Sequence, residues 1–365
     1  MIFNKKLIGG VLALFLLAFL VSIFEVPFWR ISQKSKKPLV PTDTLQTLEF
    51  LSKEITMDRI YAPDEGPVDW GQFSLLPGEG PELLWIHSVT VTPVTPDGQK
   101  KLSSKFLYYG CLDFPNYLSH RQQFGGTVIG TSRLFALSPG QDHVEFPPGF
   151  GIPVLSNEFL QWSVIAMNLN LPAESPSVKF KFTVGYFRDE DLSSSPKPLF
   201  PAVGWSAKLL YGPDGYMGVE KSNEMIREAE SSRGVHALEG SRYLYDDTQG
   251  RKFSLYWMLN PGRDVNHTLI TRVLNLPFDT TLHYTNAHLY PFAESLELKD
   301  LNAGETLLKI GAGDHFESLE GTSVYKDHEY DLIMTHLNPT KETQKAMATI
   351  FLYLFDKEFK RPVGR

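Results

Sequence analysis

The sequence predicts an all-β protein: two tandem jelly-roll or β-sandwich domains behind an N-terminal transmembrane helix. Short β-rich runs separated by Pro, Gly, Asn or Asp recur from Glu82 almost to the C-terminus. The 25 Pro, 28 Gly and 13% aromatic residues suit short strands joined by tight turns. A chain of 365 residues is long enough for two hydrophobic cores, because single cores seldom grow past roughly 250–300 residues.

The N-terminal segment, residues 1–30, is predicted to be a membrane anchor. Residues 7–24 are apolar and uncharged, and at about 1.5 Å per residue they just cross the bilayer hydrocarbon. A cleaved signal peptide is the alternative, but no clean small-residue cleavage site follows the run. Lys5 and Lys6 precede the run and four basic residues follow it by residue 37, so the positive-inside rule taken alone favours a cytoplasmic body. We nevertheless predict an extracytoplasmic body, periplasmic in a bacterium, because a charged start before an apolar run resembles an export signal.

Residues 31–80 are predicted to form a stalk and one short helix. The first part is basic and contains proline. Leu45, Leu48 and Leu51 recur at helical spacing, which predicts a short packing helix over Thr42–Ile55.

The first jelly-roll domain is predicted over residues 81–205. Its clearest strand is Val178–Tyr186, in which apolar residues alternate with Lys179 and Lys181, as expected for a half-buried strand of an antiparallel sheet. Residues 146–154 are rich in Pro and Gly, which predicts a shaped loop rather than a central strand.

The second jelly-roll domain is predicted over residues 235–360. Residues 206–234, which are polar and turn-forming without a broad apolar stripe, are predicted to connect the two domains. Strand patterns resume at about Val235 and repeat at regular spacing, as in sandwiches and jelly rolls.

Composition and motifs exclude several classes of function. A net charge of −7 gives no basic footprint for nucleic acid. The single cysteine, Cys111, excludes an intramolecular disulfide and a Cys-based zinc cluster, and is interpreted as a small buried hydrophobe. GxSxG, HExxH and phosphate-loop motifs are absent from the sequence. The predicted partners are the membrane and, in an active enzyme, a small-molecule or peptide substrate.

The candidate metal ligands lie in the second predicted domain. His283 and His288 fall on one β-rich run, and Met347 lies far along the chain before another strand. Neutral imidazole together with a soft thioether favours copper over magnesium or calcium. His336, on a neighbouring strand, is a further candidate. For each of them a structural role, as a hydrogen-bonded histidine or as core filler, is the alternative.

Five segments resemble the copper type II, ascorbate-dependent monooxygenases, which include the peptidylglycine and dopamine hydroxylases. In chain order they are Gly110–Pro115, Pro148–Pro153, Trp162–Asn170, His288–Pro291 and Ala346–Tyr353.

The resemblance implies two jelly-roll domains with one copper each. The first-domain copper would be held by three histidines, and the second by a His-x-His pair and a distant methionine. In this chain Met347 matches that methionine and His288 matches one histidine of the pair, while the other position is Tyr290. His283 or His336 would then complete the second site.

The resemblance also implies a first copper site that this chain does not reproduce. The paired histidines would fall on Ser104 and Lys105, and the third near Met167 or Asn168. His87 lies earlier in the chain and does not match any of these positions. The predicted function is therefore copper binding at no more than one second-domain site, with oxygen-dependent monooxygenase activity left open. The alternative is a non-catalytic, membrane-anchored module for binding or interaction.

Overall fold

The computed structural model describes residues 43–61, 66–78, 80–126, 131–168, 176–209, 244–246 and 250–362, and all that follows concerns these residues. The predicted anchor over residues 1–30 and most of the predicted connection over residues 206–234 lie outside them. Within the described ranges, no helix has both the length and the apolar character needed to cross a membrane.

The described chain is built mainly from strands, so the predicted all-β class is confirmed. The elements before residue 210 are β1 (Gln46–Leu51), β2 (Ile55–Thr56), β3 (Val68–Phe73), β4 (Leu83–Val94), a 3-10 turn (Ser104–Phe106), β5 (Leu107–Asp113), α1 (Tyr117–Gln123), β6 (Arg133–Leu137), β7 (His143–Glu145), β8 (Phe150–Leu155), β9 (Leu160–Ala166), β10 (Ser177–Arg188), a 3-10 turn (Asp189–Asp191), β11 (Lys197–Trp205) and β12 (Lys208–Leu209).

The later part of the chain continues the same pattern. Its elements are β13 (Leu244–Asp246), β14 (Lys252–Ser254), β15 (Trp257–Leu259), β16 (Gly262–Leu269), α2 (Thr271–Leu274), β17 (Thr280–Leu289), β18 (Ala293–Asp300), β19 (Glu305–Gly311), β20 (Glu317–Val324), β21 (Tyr330–Asn338), β22 (Gln344–Ala346) and β23 (Ala348–Phe355).

One sheet runs through both parts of the chain. Its strands follow the order β1-β10-β4-β8-β11-β23-β17-β20, with β2 and β7 paired at its side. The link between the two parts is short, because β8 and β11 run parallel and pair only at Phe150–Lys197 and Gly151–Pro198. Two four-stranded sheets, β3-β9-β5-β6 and β16-β21-β18-β19, lie beside the continuous sheet.

Each four-stranded sheet shares a hydrophobic core with the continuous sheet. In the first core, Trp162 of β9 packs against Phe182 of β10, with ring centroids 5.3 Å apart. In the second, Leu332 of β21 and Leu298 of β18 are buried with Ile350 of β23. Burying large apolar side chains between two sheet faces in this way is the main source of stability in a β-sandwich.

The first core also draws on the last strands of the chain. Tyr284 of β17 and Phe351 and Tyr353 of β23 are members of it. The Tyr353 hydroxyl donates a hydrogen bond of 3.0 Å to the backbone carbonyl of Leu134 in β6. Residues far apart in sequence therefore complete one core.

The strand predicted over Val178–Tyr186 is confirmed as part of β10. Val178, Phe180, Phe182 and Val184 are buried, whereas Lys179 and Lys181 are only partly buried. This alternation is what one buried sheet face requires.

The short helix predicted over Thr42–Ile55 is wrong. Its described residues contain β1 and the start of β2, and β1 pairs with β10 along its whole length. Leu48 and Phe50 lie on the half-buried side, whereas Leu51 is exposed. Pairing with β10 outweighed the helical spacing of the leucines, as tertiary contacts often outweigh local propensity.

The loop predicted over residues 146–154 is also wrong in its second half. Pro147–Gly149 turns, but Phe150–Leu155 forms β8 inside the continuous sheet. Pro153 is tolerated there because β11 pairs only with Phe150 and Gly151, so that Pro153 has a strand neighbour on one side, at Trp85 of β4.

Strand β11 joins the later part of the chain. It falls within the residues predicted for the first domain, 81–205, but pairs antiparallel with β23 from Leu199–Phe355 to Trp205–Thr349. Residues after β23 contact the first part of the chain. The backbone amide of Lys360 donates to the carbonyl of Phe124, and Phe359 packs on Trp85. The two parts of the chain are thus tied together by backbone and side-chain contacts.

Candidate functional site

A cavity of about 470 Å³ lies where the first four-stranded sheet meets β11, β17 and β23. Tyr109 of β5 and Ser163 of β9 line one side of it. His288 of β17, Thr349 of β23 and Trp205 of β11 line the other side. The register explains this second group, because His288 pairs with Thr349 and Thr349 pairs with Trp205, so the three side chains lie in one row on the same sheet face.

His288 is the most unusual side chain of the cavity. It is 3% exposed, and neither ring nitrogen has a hydrogen-bond partner among the described residues. Aromatic rings surround it: the centroid of Tyr109 lies 4.8 Å away and that of Tyr108 lies 5.4 Å away. Burial, and then the positive charge of Arg133, lowers the pKa of His288 to about 4. The imidazole is therefore neutral at pH 7 and keeps one lone pair on the ring.

The lack of hydrogen-bond partners for the His288 ring costs free energy of folding. Leaving a buried polar group unpaired costs about 1–3 kcal/mol, and native structures seldom retain such a group without a bound water, ion or ligand. Asn286, two residues earlier on the same face of β17, is 1% exposed, and its side-chain amide likewise has no partner among the described residues. This strand face therefore presents several unsatisfied polar atoms close together.

Met347 borders the same cavity as His288. It lies between β22 and β23 and packs against a group of buried tyrosines. Its backbone carbonyl accepts a 3.2 Å hydrogen bond from the amide of Tyr290. Two of the four predicted copper ligands, one imidazole and one thioether, therefore border the same cavity.

Three tyrosines, Tyr108, Tyr256 and Tyr290, form what we call the tyrosine cluster. The hydroxyl of Tyr108 lies 2.7 Å from that of Tyr290 and 3.3 Å from that of Tyr256. Burial, and then the two neighbouring phenols, raises the pKa of Tyr108 well above its ordinary value. The phenol of Tyr108 is therefore neutral, and the cluster offers hydroxyl groups beside His288 rather than a phenolate.

Arg133 supplies the positive charge near the cavity and is itself paired. Its guanidinium binds Asp113 through two hydrogen bonds, of 2.7 and 3.2 Å, and donates to the Tyr109 hydroxyl at 3.1 Å. Cys111 is buried beside them, and burial raises the pKa of its thiol to about 12. The groups at the cavity are therefore neutral hydrogen-bond donors and acceptors, together with the Arg133 guanidinium, whose charge is paired with Asp113.

The other two predicted copper ligands lie elsewhere. The two ring nitrogens of His283 are occupied: Nε2 lies 2.8 Å from the Thr281 hydroxyl and Nδ1 lies 2.9 Å from the Ser318 carbonyl. His336 is fully buried against the edge of Trp257, with ring centroids 5.6 Å apart, and its nitrogens have no partner among the described residues. Neither histidine borders the cavity.

The described ranges gather no three His, Cys, Asp or Glu side chains into a ready-made metal site. Ser104 and Lys105, where the resemblance implied paired first-domain histidines, lie in the 3-10 turn before β5. Asn168 is buried and donates to the backbone carbonyl of Arg59 at 3.2 Å. The residues at these positions carry no imidazole with which to hold a first copper.

Sequence reasoning missed Tyr108 and Tyr256 of the tyrosine cluster, Arg133 and Asn286. For Asn286 a signal existed, because a residue two positions before His288 on a strand shares its face. For the tyrosine cluster none did, since Tyr108 and Tyr290 are 182 positions apart.

Similar known proteins were found only among solved structures. No family model matches the chain, and no curated protein matches it. Among solved structures it is similar to the major capsid protein P2 from bacteriophage PM2, at 8% sequence identity and a TM-score of 0.29, over 84% of this chain and 97% of that chain. It is also similar to the STIV MCP, at 10% identity and a TM-score of 0.26, over 83% of this chain and 95% of that chain.

A further match is the CUB1-EGF-CUB2 domain of human MASP-1/3, at 9% identity and a TM-score of 0.16, over 83% of this chain and 99% of that chain. Likenesses this weak carry no argument about the fold or the function of this chain.

Proposed function

We propose that the protein binds one copper ion, as Cu(I), in the cavity beside His288. The observation that carries the proposal is a buried, neutral imidazole with unpaired nitrogens in the same cavity as a thioether. Imidazole and thioether suit copper, and soft sulfur favours its reduced state. A neutral imidazole can bind a metal at pH 7 without first losing a proton.

The proposed site has two protein ligands. His288 would supply a ring nitrogen and Met347 its sulfur. His283 does not join them in this arrangement, because both of its nitrogens are already hydrogen-bonded. Bound copper would supply a redox-active centre, and the aromatic rings around His288 would limit the access of water to it.

Binding rather than monooxygenation is the activity we propose. In the copper type II monooxygenases, which this chain resembles in five short segments, a first-domain copper supplies an electron, and the matching positions here lack histidine. We infer a divergent relative: two jelly-roll domains, anchored to a membrane by residues 1–30, with an extracytoplasmic body. Two hydrophobic cores, each between two sheets, support the domain part of this proposal.

Copper stoichiometry tests the proposal. Full-length, tag-free protein in detergent is loaded with Cu(I) under reducing conditions, washed, and analysed for metal and protein. We expect about one retained copper per chain, and much less in His288→Ala and Met347→Leu.

The matched control for this experiment is His315→Ala. His315 is about half exposed and does not border the cavity, so its loss should leave the stoichiometry unchanged. Folded protein that retains no copper, or equal retention in all three variants, would refute the proposal.

The second candidate function is the binding of an uncharged organic ligand, as a non-catalytic binding module would do. The tyrosine cluster and the cavity volume of about 470 Å³ favour it, because ligand sites typically measure about 300–1,000 Å³ and combine aromatic walls with a few polar groups. Phenol is a suitable test ligand, followed by tryptophan fluorescence, since Trp205 borders the cavity. We expect saturable binding that Tyr256→Phe weakens several-fold, because Tyr256 borders the cavity. Quenching that never saturates would contradict this candidate.

A further inference from the structure

A groove of about 380 Å³ lies beside β3, the edge strand of the first four-stranded sheet. β3 contributes Gln72 to it, the segment before β9 contributes Asn157 and Phe159, and α1 with its N-cap residue contributes Gln123 and Asn116. None of these side chains borders the cavity of the proposed copper site. The groove volume lies within the range of about 300–1,000 Å³ that is typical of ligand sites.

The carboxylate at the groove is already bound within the protein. Oε1 of Glu158 lies 3.0 Å from Nδ1 of His120 and accepts a 3.2 Å hydrogen bond from Nε2 of Gln123. Its Oε2 accepts a 2.8 Å hydrogen bond from the backbone amide of Leu155. Among the described residues, no other charged side chain borders the groove. The groove therefore suits an uncharged ligand better than an ion.

Four exposed side-chain amides border the groove, those of Gln72, Asn116, Gln123 and Asn157. Each amide group both donates and accepts hydrogen bonds. A ligand whose polar groups also donate and accept can pair with such amides in either orientation. The hydroxyl groups of a sugar have this property, because each carries one donor hydrogen and two acceptor lone pairs.

Two strongly exposed aromatic rings belong to the same surface. Phe159, which borders the groove, is 64% exposed, and Trp70 of β3 is 61% exposed. Trp70 lies two residues before Gln72, so the two side chains share one face of the strand, about 7 Å apart along it. Exposed apolar side chains rimmed by polar groups are typical of binding surfaces. Such rings can pack against the C–H groups on the face of a pyranose ring.

The other face of β3 fixes the strand in place. Asp69 accepts a 2.7 Å hydrogen bond from the backbone amide of Lys53. Gly71 lies against Trp162, whose Nε1 would be 2.8 Å from an added Cβ atom. All six residues of β3 pair with β9. The backbone that carries Trp70 and Gln72 is therefore already ordered, which lowers the entropic cost of binding a ligand.

We propose that this groove binds a neutral oligosaccharide. Trp70 and Phe159 stack on sugar rings, and the four amides form hydrogen bonds with the hydroxyl groups. Because no unpaired charge takes part, added salt should change the affinity little. The proposal does not depend on copper binding beside His288.

Calorimetry of the full-length, tag-free protein tests the groove, in a detergent without a sugar headgroup, since an alkyl glycoside would compete. The probes are cellotetraose, chitotetraose and mannotetraose, three neutral tetrasaccharides that differ in substituents or configuration. We expect at least one of them to bind saturably, at one site per chain. Trp70→Ala and Gln72→Ala should each raise its Kd about fivefold. Trp70→Phe keeps an aromatic ring and should raise the Kd less.

The matched control is Leu319→Ala, because Leu319 of β20 is 57% exposed and does not border the groove. It should leave the Kd unchanged, as should Met347→Leu, which alters the proposed copper site. The variants at exposed positions should unfold thermally with the parent protein.

Two results would overturn the proposal. One is the absence of saturable binding for all three sugars, or a Kd that neither Trp70→Ala nor Gln72→Ala changes. The other is a dimer that Trp70→Ala converts to a monomer without changing sugar binding, which would assign this face to a contact between two copies of the chain.

Discussion

Asp356→Ala is expected to lower the free energy of unfolding by about 3–5 kcal/mol. Asp356 follows β23 and forms an ion pair with Arg121 of α1. The two side chains are only 1% and 3% exposed. Removing the carboxylate breaks an ion pair of a buried guanidinium, and breaking a buried pair is much more costly than losing a surface pair. Chemical denaturation of the full-length protein in detergent measures the change.

Two controls isolate the effect of the buried charge. The double variant Arg121→Met/Asp356→Leu removes both charges and should recover a large part of the lost stability, because neither buried charge of the pair remains. Glu49→Ala breaks the exposed pair with Lys181 and should cost no more than about 1 kcal/mol. If Asp356→Ala cost as little as Glu49→Ala, the pair would not hold the C-terminal segment to α1.

Acidification is expected to destabilise the protein by about 3 kcal/mol between pH 7 and pH 4 through His288 alone. Burial, and then the charge of Arg133, lowers the pKa of His288 to about 4 in the folded protein, against 6.5 in its ordinary state. Between these values the unfolded chain binds the proton and the folded chain does not. This contribution to stability is therefore complete above about pH 6.5 and is lost as the pH falls toward 4. Burial lowers the pKa of His283 and His336 as well, which acts in the same direction.

The measurement is the free energy of unfolding at several pH values, for the parent protein and for His288→Gln. The variant cannot bind this proton, so its stability should fall less steeply below pH 6.5. The difference between the two curves isolates His288 from every other titrating group. Parallel curves would mean that the imidazole is not buried as the structure describes.

Strands and helices could be predicted from the sequence where the hydrophobic pattern and the neighbouring strands favour the same element. The alternation of apolar residues with lysines in Val178–Tyr186 predicts a strand with one buried face, and β10 is such a strand. In Leu45–Ile55 the leucines fit a helix, while Leu48 and Phe50 also fit a strand. Only the neighbouring β10, more than a hundred residues away, decides between them.

The candidate site could be predicted in part. His288 and Met347, which the resemblance named as copper ligands, border one cavity, and their binding of copper stays a prediction. His283 could not be placed from the sequence, because the strand register shifts between Leu282 and Tyr284 and breaks the simple alternation of faces. The tyrosine cluster depends on contacts across the whole fold, for which the sequence holds no local signal.

The contribution of β17 and β23 to the first core has a consequence for biosynthesis. Tyr284, Phe351 and Tyr353 are part of that core, yet they emerge from the ribosome long after β4 and β10. The amino-terminal half cannot reach its final packing while the carboxyl-terminal half is still being translated. We therefore expect this core to complete its packing only after β23 has been synthesised, in contrast to the domain-by-domain folding that is usual for long chains.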